Sequence, residues 1–111
     1  MILDVRSDGE WAGKESRGNR RAGRIPGSVH IEWLHNVTPD QLHMLKPAAD
    51  LRRMFEAAGV TPDKEIITVC QAGIRAAQAA MTLHLLGYEN VRTYDGSFAE
   101  CGNREDTPIE P

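Results

Sequence analysis

Residues 65–76 constrain this chain more than any other stretch. Glu65-Ile66-Ile67-Thr68-Val69 is short, apolar and β-branched, and reads as a buried strand. It runs straight into Cys70. Gln71-Ala72-Gly73-Ile74-Arg75 then opens an Ala-rich helix over residues 76–86, which Gly87 ends. Its expected packing stripe is Ala77, Ala80, Met81 and Leu85. Val91-Arg92-Thr93-Tyr94 follows as another strand. Upstream, Ile2-Leu3-Asp4-Val5-Arg6 is a strand stopped by Ser7-Asp8-Gly9, and Val29, Ile31 and Trp33 alternate with His30 and Glu32. Residues 47–58 predict a helix. Pro47 suits its first turn, Leu51, Met54, Phe55 and Ala58 recur at helical spacing, and Gly59 stops it. Strands alternating with helices define an α/β domain: an open, mainly parallel sheet flanked by helices.

The chain has 111 residues. That length fits one domain, 1–111, burying roughly 65% of its unfolded surface. Thirteen Lys and Arg against 16 Asp and Glu give a net charge of -3, which excludes a domain-wide nucleic-acid footprint. No apolar run is long enough for a membrane span, and residues 1–6 lack the pattern of a signal peptide. The two cysteines, Cys70 and Cys101, form neither a CxxC pair nor a metal-ligand spacing. Nor do His30, His35, His43 and His84, of which His84 reads as a surface or packing residue on the second helix. A reducing, cytoplasmic setting with two free thiols and no metal is expected. Residues 13–24 hold five basic residues (Lys14, Arg17, Arg20, Arg21, Arg24) and one acid. They read as a solvated loop or as a rim that draws in a small anion.

Cys70 is the chemical centre. Ligands of open α/β sheets bind at the carboxyl ends of strands. The backbone N–H groups of the loop from Gln71 to Arg75 can converge as a nest, and the next helix adds its positive end. Both favour a thiolate over a thiol. Gly73 lets the loop curl, and Arg75 brings a fixed charge, which either holds an anionic substrate or forms an ion pair with Asp4 or Glu10. The plainer reading of Cys70 is a buried structural cysteine. Asp4 and Arg6 read first as a salt bridge.

Four motifs in order resemble the rhodanese-like sulfurtransferases. They are Leu3-Asp4-Val5-Arg6-Ser7, the turn Gly23-Arg24-Ile25-Pro26-Gly27-Ser28-Val29, the loop from Cys70 to Arg75, and a closing motif. The last comprises Tyr94-Asp95-Gly96-Ser97-Phe98-Ala99-Glu100-Cys101-Gly102 and Asp106-Thr107-Pro108-Ile109-Glu110. That ending is similar to the catalytic C-terminal domain of thiosulfate and 3-mercaptopyruvate sulfurtransferases. The resemblance implies the rhodanese-like fold and a sulfur transfer through a Cys70 persulfide, held by N–H groups of Gln71, Ala72, Gly73, Ile74 and Arg75. The donor would be thiosulfate or 3-mercaptopyruvate, the acceptor a thiol or cyanide, with no cofactor.

Departures from the family's pattern matter. Thiosulfate enzymes of the family carry cations where Gln71 and Ala72 stand, and mercaptopyruvate enzymes carry Gly and Ser. Both have a donor-binding Arg at the position of Glu10. That puts Glu10 in or near the donor pocket, with Asp4 behind it, while Trp11 and Trp33 read as core residues or pocket walls. Cys101 replaces a Trp, either as an apolar filler or as a second thiol that accepts sulfur from Cys70. The family's usual strand and helix ahead of the Leu3-Asp4-Val5-Arg6 strand are absent. A trimmed unit, a naturally short one, and a homodimer completed by a second copy are the readings of that absence. Two alternatives compete on function. One is a non-catalytic binding or regulatory module on the same fold. The other is a phosphatase or arsenate reductase, against which stands the spacing of four residues between Cys70 and Arg75, one short of that class.

Overall fold

The computed structural model describes residues 1–37, 45–104 and 107–109. Strands β1 (Ile2–Asp4), β2 (Val29–His30), β3 (Ile66–Val69) and β4 (Val91–Thr93) form one parallel sheet in the order β2-β1-β3-β4. Leu3 pairs with Val29 and Thr68, and Thr68 with Thr93, so β1 and β3 are the inner strands. The open parallel α/β architecture is the one that the alternation of strands and helices implies. His43, Glu105, Asp106 and Glu110 lie outside the described residues.

The pleat sorts the strands by face. Leu3, Val5, Ile66 and Val91 join the main core under helices α2 (Ala48–Ala57) and α3 (Ile74–Leu85), which contribute Leu51, Phe55, Ala76, Ala79, Ala80 and Leu83. Both helices end in the same closure. Val60 N–H reaches Phe55 O at 2.8 Å, Tyr88 N–H reaches Leu83 O at 3.0 Å, and the preceding glycines donate one residue inside. The Tyr88 hydroxyl then donates to Val60 O at 2.8 Å and ties the two ends together.

The buried stripe of α3 differs from the expected one. Ala76, Ala79, Ala80 and Leu83 face the sheet, while Ala77 is exposed and Met81 and Leu85 are 55% and 68% exposed. Alanines on several sides give little hydrophobic contrast, so the large residues Met81 and Leu85 set the wrong phase. The helix also begins at Ile74, two residues before the expected start. The strand that the alternation of Val29, Ile31 and Trp33 suggests is shorter than expected, covering only Val29–His30. Ile31 and Trp33 still donate to Asp4 O and Val5 O, at 3.1 and 3.0 Å, but the chain turns into a 3-10 helix at Trp33–Asn36.

On the other face, Val69, Phe98 and Cys101 form a second cluster with Ile2, Ile25, Tyr94 and Ile109. It rests on short helix α4 (Ser97–Cys101). Arg6 is buried here, forked onto Asp4 at 2.7–3.1 Å, donating to Gly23 O at 2.7 Å, with its guanidinium 3.5 Å from the Phe98 ring centroid. The Asp4–Arg6 pair thus joins the first strand to the turn at Gly23. A cavity of about 410 Å³ lined by Ile2, Ile67, Val69, Tyr94, Cys101 and Pro108 opens beside it. Among the described residues, no helix is long and apolar enough to cross a membrane.

Candidate active site

Cys70 follows the last residue of inner strand β3 and is 1% exposed. Its Sγ accepts the Gly73 N–H of the following loop at 3.0 Å. Gly73 has φ +99° as the residue capping α3. A Cβ there would sit 3.2 Å from Asp95 O, so both the backbone angle and the space favour glycine. Ile74, the first residue of α3, is 81% exposed.

Arg75 points back across the loop. Its Nη1 and Nη2 donate to Glu10 Oε1 and Oε2 at 2.8 and 3.0 Å. Glu10 lies on helix α1 (Asp8–Trp11) and is fully buried. Ser7 and Glu10 cap that helix reciprocally: Glu10 N–H donates to Ser7 Oγ, and Ser7 donates to Oε1 from its hydroxyl at 2.9 Å. Arg17 Nη2 stands 3.6 Å from the same oxygen. Burial alone would raise the Glu10 pKa, but the hydrogen bonds from Arg75 and Ser7 and the charge of Arg75 outweigh it and bring it down to about 2. Arg75 is raised in turn, chiefly by its hydrogen bonds to Glu10. Of the two sequence readings of Arg75, the geometry matches the ion pair. Glu10 reaches the site through that guanidinium, not as a free carboxylate facing a ligand. Asp4 and Arg6 are occupied with each other.

Gln71 is also engaged. It exchanges amide hydrogen bonds with Asn19 at 2.8 and 3.1 Å, and Asn103 donates to Asn19 Oδ1 at 3.0 Å. Much of the basic stretch is similarly committed. Arg21 holds carbonyls of Cys101, Arg104 and Thr107, Arg17 pairs with Glu15, and Arg24 lies 4.6 Å over the Trp11 ring. Trp11 stacks on His30 with centroids 4.8 Å apart. Trp33 packs part-buried on the main core, while His35 and His84 are exposed. Cys101 sits in the second cluster, its thiol pKa pushed up by burial. Adjacent strand positions face opposite ways, so Val69 joins that cluster and Cys70 the main core. The structure does not bring the two thiols together.

The sequence reading missed two residues of the site. Asn19 was hidden in a Gly- and charge-rich loop with no periodic signal. Ser97 follows Asp95-Gly96, a turn signal that marks the bend but not the hydroxyl's target.

The class is therefore an open parallel α/β domain with a buried cysteine at the end of an inner strand, its sulfur capped by the turn into a helix. The comparisons narrow it. A family profile described as Rhodanese-like domain matches residues 1–103, and the chain belongs to that family. It is 38% identical over 98% of its length to a thiosulfate sulfurtransferase of Pseudomonas aeruginosa, covering 39% of that protein. It is 39% identical over 97% of its length to the sulfur carrier protein TtuD of Thermus thermophilus, covering 40% of it. It is 36% identical over its full length to a 3-mercaptopyruvate sulfurtransferase of Escherichia coli K12, covering 39% of it. The chain thus spans about two fifths of these relatives. Among solved structures, an anaerobic ergothioneine biosynthesis enzyme from Chlorobium limicola superposes with a TM-score of 0.89 at 26% identity. That match covers 98% of this chain and 27% of the enzyme.

Proposed function

We propose that this chain is a sulfurtransferase domain that carries a sulfane sulfur as a persulfide on Cys70. The observation that carries the reading is the Cys70 sulfur itself, buried at the end of an inner strand and met by the Gly73 N–H at 3.0 Å. The relatives named as thiosulfate and 3-mercaptopyruvate sulfurtransferases support it. In the first step the Cys70 thiolate attacks the outer sulfur of thiosulfate. A sulfur–sulfur bond forms to Cys70, the bond inside thiosulfate breaks, and sulfite leaves with its electron pair. In the second, an acceptor such as cyanide bonds to the outer sulfur, thiocyanate leaves, and the electron pair returns to Cys70 as thiolate. The N–H groups of Gln71, Ala72, Gly73, Ile74 and Arg75 serve as the cradle of the negative sulfur, needing no cofactor.

With its fork on Glu10, Arg75 shapes the loop instead of gripping the donor. A reducing compartment such as the cytoplasm is the setting this chemistry asks for, since an oxidised Cys70 cannot attack. A homodimer remains part of the proposal, to be read from the mass in solution.

The test is intact mass. Incubation with thiosulfate or 3-mercaptopyruvate is expected to add one sulfur atom, and cyanide to remove it while thiocyanate appears. Cys70→Ser is expected to abolish both steps and Cys101→Ser to keep most of the activity. Transfer that survives in Cys70→Ser sinks the assignment.

A further inference from the structure

Ser97 occupies a place in the sheet where a backbone bond is expected. Along β3 and β4 the parallel ladder runs regularly: Ile66 N–H donates to Asn90 O at 2.8 Å, and Tyr94 N–H donates to Thr68 O at 3.0 Å. Continued by the same step, the ladder would have Cys70 N–H donate to Tyr94 O. It does not. Cys70 N–H donates to Ser97 Oγ at 3.0 Å, and the Ser97 hydroxyl donates to Tyr94 O at 2.7 Å. One hydroxyl is inserted as a rung, and it parts the two strand ends where the cysteine loop begins.

The next two residues complete the arrangement. Phe98 N–H donates to Cys70 O at 2.9 Å, and Ala99 N–H donates to Gln71 O at 2.8 Å. Three successive residues of α4 therefore grip the Cys70 and Gln71 peptides. Their carbonyls, which would repel a negative sulfur, are turned toward α4. The N–H groups beyond them are left to the sulfur, as Gly73 already shows. Ser97 takes φ +46° to do this and is fully buried. A non-glycine residue held at positive φ in a closed space is costly, and persists where the surroundings demand it.

We propose that Ser97 is a positioning residue for sulfur transfer: its inserted hydroxyl sets the Cys70 peptide so that the loop N–H groups face the sulfur. The inference rests on the Cys70 reading above and adds to it a residue that touches neither donor nor acceptor.

Two variants of the full chain test it. Ser97→Gly removes the hydroxyl and accepts the positive φ freely. Ser97→Ala keeps the Cβ packing and removes only the hydroxyl. Both are assayed with thiosulfate and cyanide at least ten degrees below their own melting points, alongside the rate of Cys70 alkylation by iodoacetamide at pH 7, read by mass on the Cys70 peptide. For both we expect kcat to fall at least tenfold, the thiosulfate KM to stay within threefold, and Cys70 alkylation to slow at least threefold. Ser97→Gly should do so while melting no lower than Ser97→Ala. A purely structural role would lower melting and leave kcat and alkylation of the folded protein alone. If either folded variant keeps kcat and alkylation within twofold of wild type, the proposal is overturned. If the wild type itself forms no thiocyanate, the sulfur-transfer reading fails, and the alkylation rates still decide whether Ser97 positions the thiol.

Discussion

At the scale of single residues, the pair Glu10–Arg75 makes the stability of the fold depend on pH. Glu10 is wholly enclosed and its carboxyl is held at about 2. A depressed folded-state pKa contributes stability that is present above the unfolded value, near 4.5, and is lost as pH falls toward 2. The contribution at neutral pH is about 3 kcal/mol. Glu10→Gln keeps the shape but leaves Arg75 facing a neutral amide. It is expected to cost about 2–4 kcal/mol at pH 7, because breaking a buried pair strands the remaining charge. The deficit should shrink as pH falls from 5 to 3, because Glu10 takes up its proton near 4.5 in the unfolded wild-type chain while the folded carboxyl stays ionised down to about 2. Urea midpoints of both proteins across that range check it. A deficit that stays constant with pH would mean that the charge of Glu10 is not what stabilises the loop. In the sequence, Glu10 and Arg75 were visible separately, but 65 residues of chain hide their contact. Of the two readings of Arg75, only the ion pair named Glu10, and it named Asp4 beside it.

At the scale of elements, the strand-to-loop-to-helix unit was legible because three local signals agree there: a β-branched run, a cysteine at its end and a glycine before an Ala-rich helix. The face of that helix was not, because alanine is nearly indifferent to burial and the pattern therefore follows the few large residues. The observed face makes a sharp prediction. Leu83 is fully buried and Leu85 is 68% exposed. Leu83→Ala should cost about 2–4 kcal/mol through the cavity it leaves. Leu85→Ala should cost less than about 0.5 kcal/mol, as surface changes usually do. Denaturant unfolding of the two variants separates them, and a larger loss at Leu85 than at Leu83 would place the stripe where the sequence first suggested. The hydroxyl of Ser97 lay beyond reach for another reason. Its role depends on the ladder between β3 and β4 breaking off at one rung, a tertiary event with no local sequence signature.

At the scale of the molecule, the two faces of the sheet are closed by different means. One is covered by α2 and α3, the other by α4 and the segment held by Arg21, whose guanidinium gathers the carbonyls of Cys101 at 2.8 Å and Thr107 at 2.7 Å. Arg21→Gln is expected to cost about 1–3 kcal/mol, the worth of hydrogen bonds to a charged group. It should also speed limited proteolysis after Gly102. A cleavage pattern unchanged from wild type would show that the segment is held by packing alone. The division of faces also bears on how the protein meets an oxidant. Cys70 belongs to one core and Cys101 to the other, with the sheet between them. A peroxide that converts Cys70 to a sulfenic acid finds Cys101 on the wrong side of that wall, so no internal disulfide traps the damage at its reversible stage. Rescue falls to small thiols arriving from solvent. Without them the sulfur climbs to the sulfinic state and is lost to chemistry. The partition that keeps the second thiol away from Cys70 leaves Cys70 dependent on the reducing power of its surroundings.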